Sequence, residues 1–177
     1  MTPVSYELKH AVIGIAGLGG LGSNVAVALT RMKVGRLILA DFDVVEESNL
    51  NRQNYFADQI GRHKVDASLE NLLRIDPEAN LTGHKVRLTP EKITTLFKDA
   101  DVIIECFDRA EQKQMLVETV LAKLPERLVI SASGLAGFGK SNAITTRFIS
   151  RYHITVGDFV SQSKPGTGLF AARVGIA

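Results

Sequence analysis

The sequence has no tryptophan, a single cysteine (Cys106), five prolines and only 6% aromatic residues. One thiol cannot close an internal disulfide or supply the paired thiolates of a structural zinc site, so a disulfide-stapled scaffold and a zinc ribbon are both excluded. A reducing, cytoplasmic setting is expected. Excess charge of one sign is also missing: 21 basic and 19 acidic residues leave a net charge of +2, scattered along the chain. A nucleic-acid partner would call for a basic stripe or face, so none is expected. Nor is there a long hydrophobic run. The apolar stretch after Lys9 and His10 is interrupted by Gly14, Gly17, Gly19, Gly20 and Gly22. It falls short of the ~20 apolar residues that span a bilayer, and Glu7 just before it is foreign to a signal peptide. No membrane association is expected.

What is present is apolar material for one core. With 177 residues, 45% of them hydrophobic, and no repeat or linker before residue 161, the chain reads as one domain over 1–177. Residues 11–16 form a short apolar run that ends in glycines, the pattern of a buried parallel strand feeding a tight turn. A helix over 21–32 follows, with Val25, Ala28, Leu29 and Met32 at helical spacing. Residues 37–40 read as the second strand and 41–54 as a polar loop. The helix over 63–75 puts Val65, Leu69, Leu72 and Leu73 on one face and stops at Asp76-Pro77. A third strand is expected at 81–86. At Thr89-Pro90-Glu91 a cap, a first-turn proline and an acidic residue together start another helix. The fourth and fifth strands are expected at 102–105 and 128–132, with a helix over 110–121 between them.

Strands alternating with helices imply an α/β fold, a doubly wound, mostly parallel Rossmann-like sheet. A ligand then belongs at the carboxyl ends of strands one, two and four. Residues 144–149 and 152–156, joined at Ser150-Arg151, form an antiparallel C-terminal extension. The small, apolar residues 168–177 read as the start of a helix, so the chain is expected to continue past Ala177.

Gly17-Leu18-Gly19-Gly20-Leu21-Gly22 follows a strand and opens a helix, the context in which G-x-G-x-x-G has mechanical meaning. Gly17 permits the turn, Gly19 lets phosphate approach backbone N–H groups, and Gly22 lets the helix pack closely. Asp41 ends the second strand, where a carboxylate would accept ribose hydroxyls. NAD and ATP fit this much equally. The segment from Asp43 to Gln53 and the residues around Lys64 discriminate, because a triphosphate needs cations beyond the glycine turn and Arg52 and Lys64 can supply them. Asp108, just past the fourth strand, can ligate Mg²⁺ or cap the helix that follows.

The order Gly-Leu-Gly-Gly-Leu-Gly, Asp41-Phe42-Asp43, Ser48-Asn49-Leu50-Asn51-Arg52-Gln53, Lys64 and Asp108 resembles the ThiF/MoeB/HesA superfamily, relatives of ubiquitin-activating enzymes. The tail, with Ser133-Gly134-Leu135-Ala136-Gly137, looks most like a short ThiF-type branch linked to thiamine synthesis. That resemblance implies adenylation: the C-terminal glycine carboxylate of a ubiquitin-like sulfur carrier ending in Gly-Gly attacks the α-phosphate of Mg·ATP and pyrophosphate leaves. Carried over by position, Gly20 lies by the phosphates and Asp41 takes the ribose. Asn49, Arg52 and Lys64 contact the triphosphate, and Asp108 takes the magnesium. A homodimer is implied as well. The carrier tail would pass residues 131–139, with 158–168 as the loop crossing over it.

The sequence departs from the superfamily pattern in three places. Residues 1–10 lack the arginine that often reaches a partner subunit's ATP, the two Cys-x-x-Cys zinc pairs are missing, and no cysteine follows Cys106 to take over the carrier. Zinc is therefore not expected, and Cys106 reads as a small buried thiol. Three other readings share parts of the pattern. They are a NAD-dependent oxidoreductase, a non-catalytic nucleotide-binding subunit of a heterodimer, and a tRNA-modifying or molybdopterin-type activator.

Overall fold

The protein is described from a computed structural model, which covers residues 8–137 and 141–161. Its central strand is β1 (Val12–Ala16), paired in parallel with β2 (Arg36–Asp41) on one side and β4 (Val102–Glu105) on the other. Outside β2 lies β3 (Leu81–Lys85), and outside β4 lie β5 (Leu128–Ala132), β7 (His153–Gly157) and β6 (Thr145–Ser150). The order is therefore β3-β2-β1-β4-β5-β7-β6. Every pairing is parallel except β6 with β7. The chain moves outward from β1 through β2 to β3 and then returns to β4, so the order reverses between β1 and β4. The carboxyl ends of those two strands thus form the crevice where open α/β sheets bind ligands.

Period-two alternation divides the sheet between two helical layers. Ile13, Ile15, Leu37 and Leu39 face one side and pack with Ala26 of α1 (Gly20–Arg31) and with Val65 and Leu72 of α2 (Lys64–Ile75). Ala16, Ile38, Ala40, Ile103 and Val129 face the other. They meet Ile93 of α3 (Pro90–Leu96), its cap residue Phe97, and Leu116 and Val120 of α4 (Ala110–Lys123). Thr89 caps α3 by accepting the Lys92 N–H at 3.4 Å.

Two helical faces differ from the sequence reading. The buried residues of α1 are Gly22, Ser23, Ala26 and Thr30, while Met32 is 54% exposed and Ala28 faces solvent. Small side chains line the contact because this helix must lie close to β1 for its first turn to meet the glycine loop, and Val25 and Leu29 pack at its flanks. In α2, Val65 and Leu72 are buried but Leu73 is exposed, since it sits one residue off the i, i+4, i+7 row. The C-terminal pair forms as expected, shifted by one residue, with β7 inserted beside β5 and β6 outermost. All six residues of β6 are exposed.

Gly14 lies on the α3 side of β1, where a Cβ would come 2.5 Å from Cδ1 of Phe97, a fully buried ring. Gly14→Val should therefore overpack this layer and cost about 1–3 kcal/mol. A lowered urea midpoint with unchanged m-value would show it, and an unchanged midpoint would mean that the ring moves aside.

Candidate functional site

Past Ala16 the chain turns at Gly17, whose φ of +94° lies in the left-handed region. The Gly17 N–H donates to Ala40 O at 2.8 Å, and a Cβ here would sit 3.0 Å from the carbonyl oxygen of Cys106. At Gly22 a Cβ would overlap the carbonyl oxygen of Gly17. Sterics therefore fix these two glycines. Gly19 is different, because the nearest atom to its missing Cβ is Gln53 Nε2 at 4.0 Å. Gly19 caps α1, Gly20 is its first residue, and no acidic side chain occupies the first turn. Helix geometry leaves the first N–H groups without intrahelical acceptors, which makes this end a ready anion site.

Asp41, buried at the end of β2, accepts the Leu18 N–H at 2.6 Å through Oδ2 and the Asp43 N–H at 2.7 Å through Oδ1. The carboxylate expected to meet a ribose thus also clamps the glycine turn, and each oxygen keeps a lone pair for a ligand. From the other side Tyr55 donates its hydroxyl to Leu18 O at 2.7 Å and lies 3.2 Å from Ser68 Oγ. Burial pushes the Tyr55 phenol well above its ordinary pKa, so it stays a donor. No sequence pattern singled out Tyr55. Its signal was one aromatic residue directly after the polar 48–54 segment.

That segment contains the one-turn 3₁₀ helix Glu47–Asn49 where a plain loop was expected. Asn49 holds the turn: its Oδ1 accepts the Glu46 N–H at 3.1 Å. The segment is fastened to α1 by Asn24, whose Nδ2 donates to Arg52 O at 3.0 Å and to Gly20 O at 2.6 Å. Ser23 Oγ accepts the Asn54 N–H at 3.1 Å. The Arg52 guanidinium is held by neutral acceptors, Ser48 O and Asn51 Oδ1, both at 2.9 Å. It forms no ion pair among the described residues.

Lys64 is 6% exposed and is the first residue of α2. Its Nζ lies 3.3 Å from Asp43 Oδ2. Burial and the helix dipole both oppose a cation at that end of a helix. Gln53 is also buried, and its Oε1 has no hydrogen-bond partner among the described residues. A buried carbonyl oxygen left unpaired costs roughly 1–3 kcal/mol.

On the other wall of the crevice, Cys106 and Phe107 abut Gly17. β4 ends at Glu105, so period-two alternation does not carry Cys106 and Asp108 onto one strand face. Cys106 is buried and Asp108 is exposed in the bend that follows. Asp108 does not cap α4; the cap residue is Arg109. The Asp108 carboxylate makes no hydrogen bond or ion pair among the described residues. Burial first, and then Glu105, push the Cys106 thiol far above its ordinary pKa, so it is no nucleophile.

Glu105, which the sequence reading passed over, organises this wall. It is 1% exposed and accepts both the Phe107 N–H at 2.6 Å and the Ala132 N–H at 3.4 Å. Lys113 lies 3.1 and 3.0 Å from its two oxygens. An acidic residue closing the apolar run Val102-Ile103-Ile104 was the available signal. Burial raises its carboxyl pKa, and Lys113 pulls it back.

Lys113→Met removes the counter-charge of a buried carboxylate and should cost about 3 kcal/mol at neutral pH, the low end for a buried pair because Lys113 is partly exposed. Glu105 titrates higher folded than unfolded, so folding takes up a proton between the two values. Stability of the variant should recover as pH falls toward the unfolded carboxylate pKa and drop again as pH rises through the folded one. Urea unfolding across mildly acidic to neutral pH checks this, and a flat profile would mean that Glu105 is not buried as a charge.

The ThiF family model matches residues 3–164. The adenylyltransferase and sulfurtransferase uba4 of Aspergillus clavatus is 35% identical over 135 residues, 76% of this chain and 27% of that protein. The sulfur carrier protein ThiS adenylyltransferase of Escherichia coli is 37% identical over 132 residues, 74% of this chain and 53% of that protein. The chain therefore spans about a quarter to a half of the length of these relatives.

Among solved structures, the E. coli tRNA N6-threonylcarbamoyladenosine dehydratase TcdA with ATP superposes with a TM-score of 0.85 over 97% of this chain and 82% of that one. At 22% identity it speaks for the fold. E. coli MccB with MccA-N7isoASN matches at 28% identity and a TM-score of 0.64, over 75% of this chain and 39% of that one. These relatives belong to several branches, and none stands apart as the one to which this sequence is tied. The match across nearly the whole length, on a sheet whose switch point carries the glycine turn, makes the chain a member of the ThiF family.

Proposed function

We propose that the protein is an adenylyltransferase that binds Mg·ATP on the Gly17 to Gly22 turn and activates the C-terminal glycine carboxylate of a ubiquitin-like sulfur carrier. The observation that carries this reading is the pair of cations beside the turn. Arg52 has no carboxylate partner among the described residues, and Lys64 is buried at the helix end that disfavours it. Lys64 is costly for a fold at that place, Arg52 keeps its charge uncompensated, and both are suited to a polyphosphate. A nicotinamide cofactor would leave them without work.

In the reaction a carrier carboxylate oxygen attacks the α-phosphorus. The bond from that phosphorus to the bridging oxygen breaks, and its electron pair leaves with pyrophosphate. The chain's contribution is to align two anions and to offset the charge that builds on the leaving group. Asp41 would hold the ribose while keeping the turn in shape. Gly19 and Gly20 would present N–H groups to phosphate, and Asn49 would keep Arg52 and its neighbours in place. Arg52 and Lys64 would meet the β- and γ-phosphates.

Asp108 is a free, exposed carboxylate at the same crevice, a hard oxygen donor of the kind Mg²⁺ takes alongside phosphates and water. Among the described residues no cluster of three or more His, Cys, Asp or Glu could form an all-protein cage. Bound there, the metal would supply Lewis-acid stabilisation of the phosphates.

Relatives named for a ThiS sulfur carrier and for uba4 support a small carrier-protein partner, and its Gly-Gly end is taken from the family resemblance alone. We assign the pathway to thiamine synthesis on the tail resemblance and the working unit to a homodimer. In the proposed path the carrier tail lies along 131–137. Residues 138–139 of that path and 162–168 of the crossing loop lie outside the described residues.

Calorimetry should find Mg·ATP binding at least tenfold tighter than NAD, and pyrophosphate exchange into ATP should depend on the carrier. Tight NAD binding without ATP binding would end this reading. Asp108→Asn should keep the melting temperature within a few degrees and lose at least a hundredfold in exchange, about 2.7 kcal/mol of barrier. Full exchange in that variant would remove Asp108 from the chemistry.

A further inference from the structure

Three non-glycine residues among those described have positive φ: Lys33, Glu126 and Phe159. The first two lie in the turns that follow α1 and α4, where a left-handed residue is routine. Phe159, at φ +62°, follows no helix; it lies two residues past the end of β7, in the bend that leaves the sheet. A bulky residue rarely takes this conformation, which persists only where the surrounding structure holds it.

Phe159 is held from two sides. On β6 the Arg147 guanidinium lies over its ring, 3.8 Å from the centroid, within the range of a cation–π contact. Past the end of β5, Ser133 O accepts the Phe159 N–H at 3.3 Å and Gly134 O accepts the Asp158 N–H at 3.4 Å. The two segments lie so close that a Cβ at Gly157 would overlap Ser133 O and one at Gly134 would overlap Asp158 Oδ1. The backbone after β7 is thus laid on the backbone after β5, and the stacked ring ties both to the edge strand.

The end of β5 adjoins the crevice. Glu105 accepts N–H groups from Phe107, one residue before Asp108, and from Ala132, one residue before Ser133. The glycine turn and Asp41 belong to the β1–β2 side of the sheet, so a second substrate has the β5 side from which to reach an α-phosphate.

We propose that Phe159, pinned by Arg147, is a positioning residue for the carrier tail: it fixes Ser133 and Gly134 in the shape the tail must follow, before any carrier is bound. This rests on the adenylation reading above. Neither side chain takes part in the chemistry, so the pin acts on carrier affinity and leaves nucleotide binding and turnover alone.

The experiment compares the wild type with Arg147→Ala, Phe159→Gly and Phe159→Tyr. Arg147 is exposed, so alanine there removes the stack and little else. Glycine at position 159 removes the ring but accepts the backbone angle, and tyrosine keeps the ring. Pyrophosphate exchange is measured against the E. coli sulfur carrier ThiS, Mg·ATP affinity by calorimetry, and hydrogen exchange of the Asp158 and Phe159 amides by NMR without ligands. Arg147→Ala and Phe159→Gly should raise the KM for carrier five- to twentyfold, with kcat and Mg·ATP affinity within twofold of the wild type. Both should speed exchange of the two amides at least tenfold, and Phe159→Tyr should match the wild type throughout.

An unchanged carrier KM or unchanged amide exchange in Arg147→Ala would overturn the assignment. So would a loss of Mg·ATP affinity as large as the rise in KM, since the pin would then support the whole fold, and so would Phe159→Tyr behaving like Phe159→Gly. Should Phe159→Gly fail to fold, Arg147→Ala decides alone. Wild-type protein that shows no carrier-dependent exchange would instead count against the adenylation reading itself, and the inference would fall with it.

Discussion

Asp41 holds the Leu18 N–H with one carboxylate oxygen and the Asp43 N–H with the other, and the carboxyl edge of the sheet is arranged around those two bonds. The first fixes the glycine turn against β2. The second starts the loop whose residue Asp43 reaches Lys64. Hydrogen bonds to a charged acceptor are worth about 1.5–3 kcal/mol each, and here the acceptor is buried, so removing the carboxylate would loosen the turn and the loop together. A residue that a motif labels as ribose-binding is, before any ligand arrives, the anchor of its own site.

The crevice has two walls built by different means. On the α1 side neutral hydrogen bonds dominate: Ser23, Asn24, Asn54 and Tyr55 stitch the 48–55 segment to the first turns of the helix. On the β4 side a single buried ion pair, Glu105 with Lys113, gathers the N–H groups at the ends of β4 and β5. Neutral bonds tolerate close approach of a backbone to phosphate without fixing charge there. The ion pair spends its charge inward, while the Asp108 carboxylate three residues on stays exposed.

Stability and site chemistry pull in opposite directions at Lys64 and Gln53. One is a buried cation at the positive end of a helix, paired with Asp43, and the other a buried residue whose carbonyl oxygen Oε1 has no partner among the described residues. Neither helps the free fold, and both flank the glycine turn, in the chain's polar 43–64 region. The surrounding network is dense enough to hold them because Gly17 and Gly22 bring β1 and α1 into van der Waals contact, a separation that any side chain at those positions would open.

The sequence by itself determined the element order, the parallel sheet and the positions of Gly17, Gly22, Asp41 and Arg52, because period-two and helical spacing and glycine sterics are local properties of the chain. It could not rank the faces of α1, since only contact with β1 decides that the small residues Gly22 and Ala26 point inward rather than Val25 and Ala28. It could not show that β7 lies beside β5 with β6 outside, a choice made by burial of Thr155 against Ser131 across the sheet. The roles of Tyr55 and Glu105 were illegible for the same reason. Tyr55 finds Leu18 only across the fold, Glu105 gathers Lys113 and Ala132 only once its strand is buried, and a polar residue declares itself only when the tertiary structure has taken away its water.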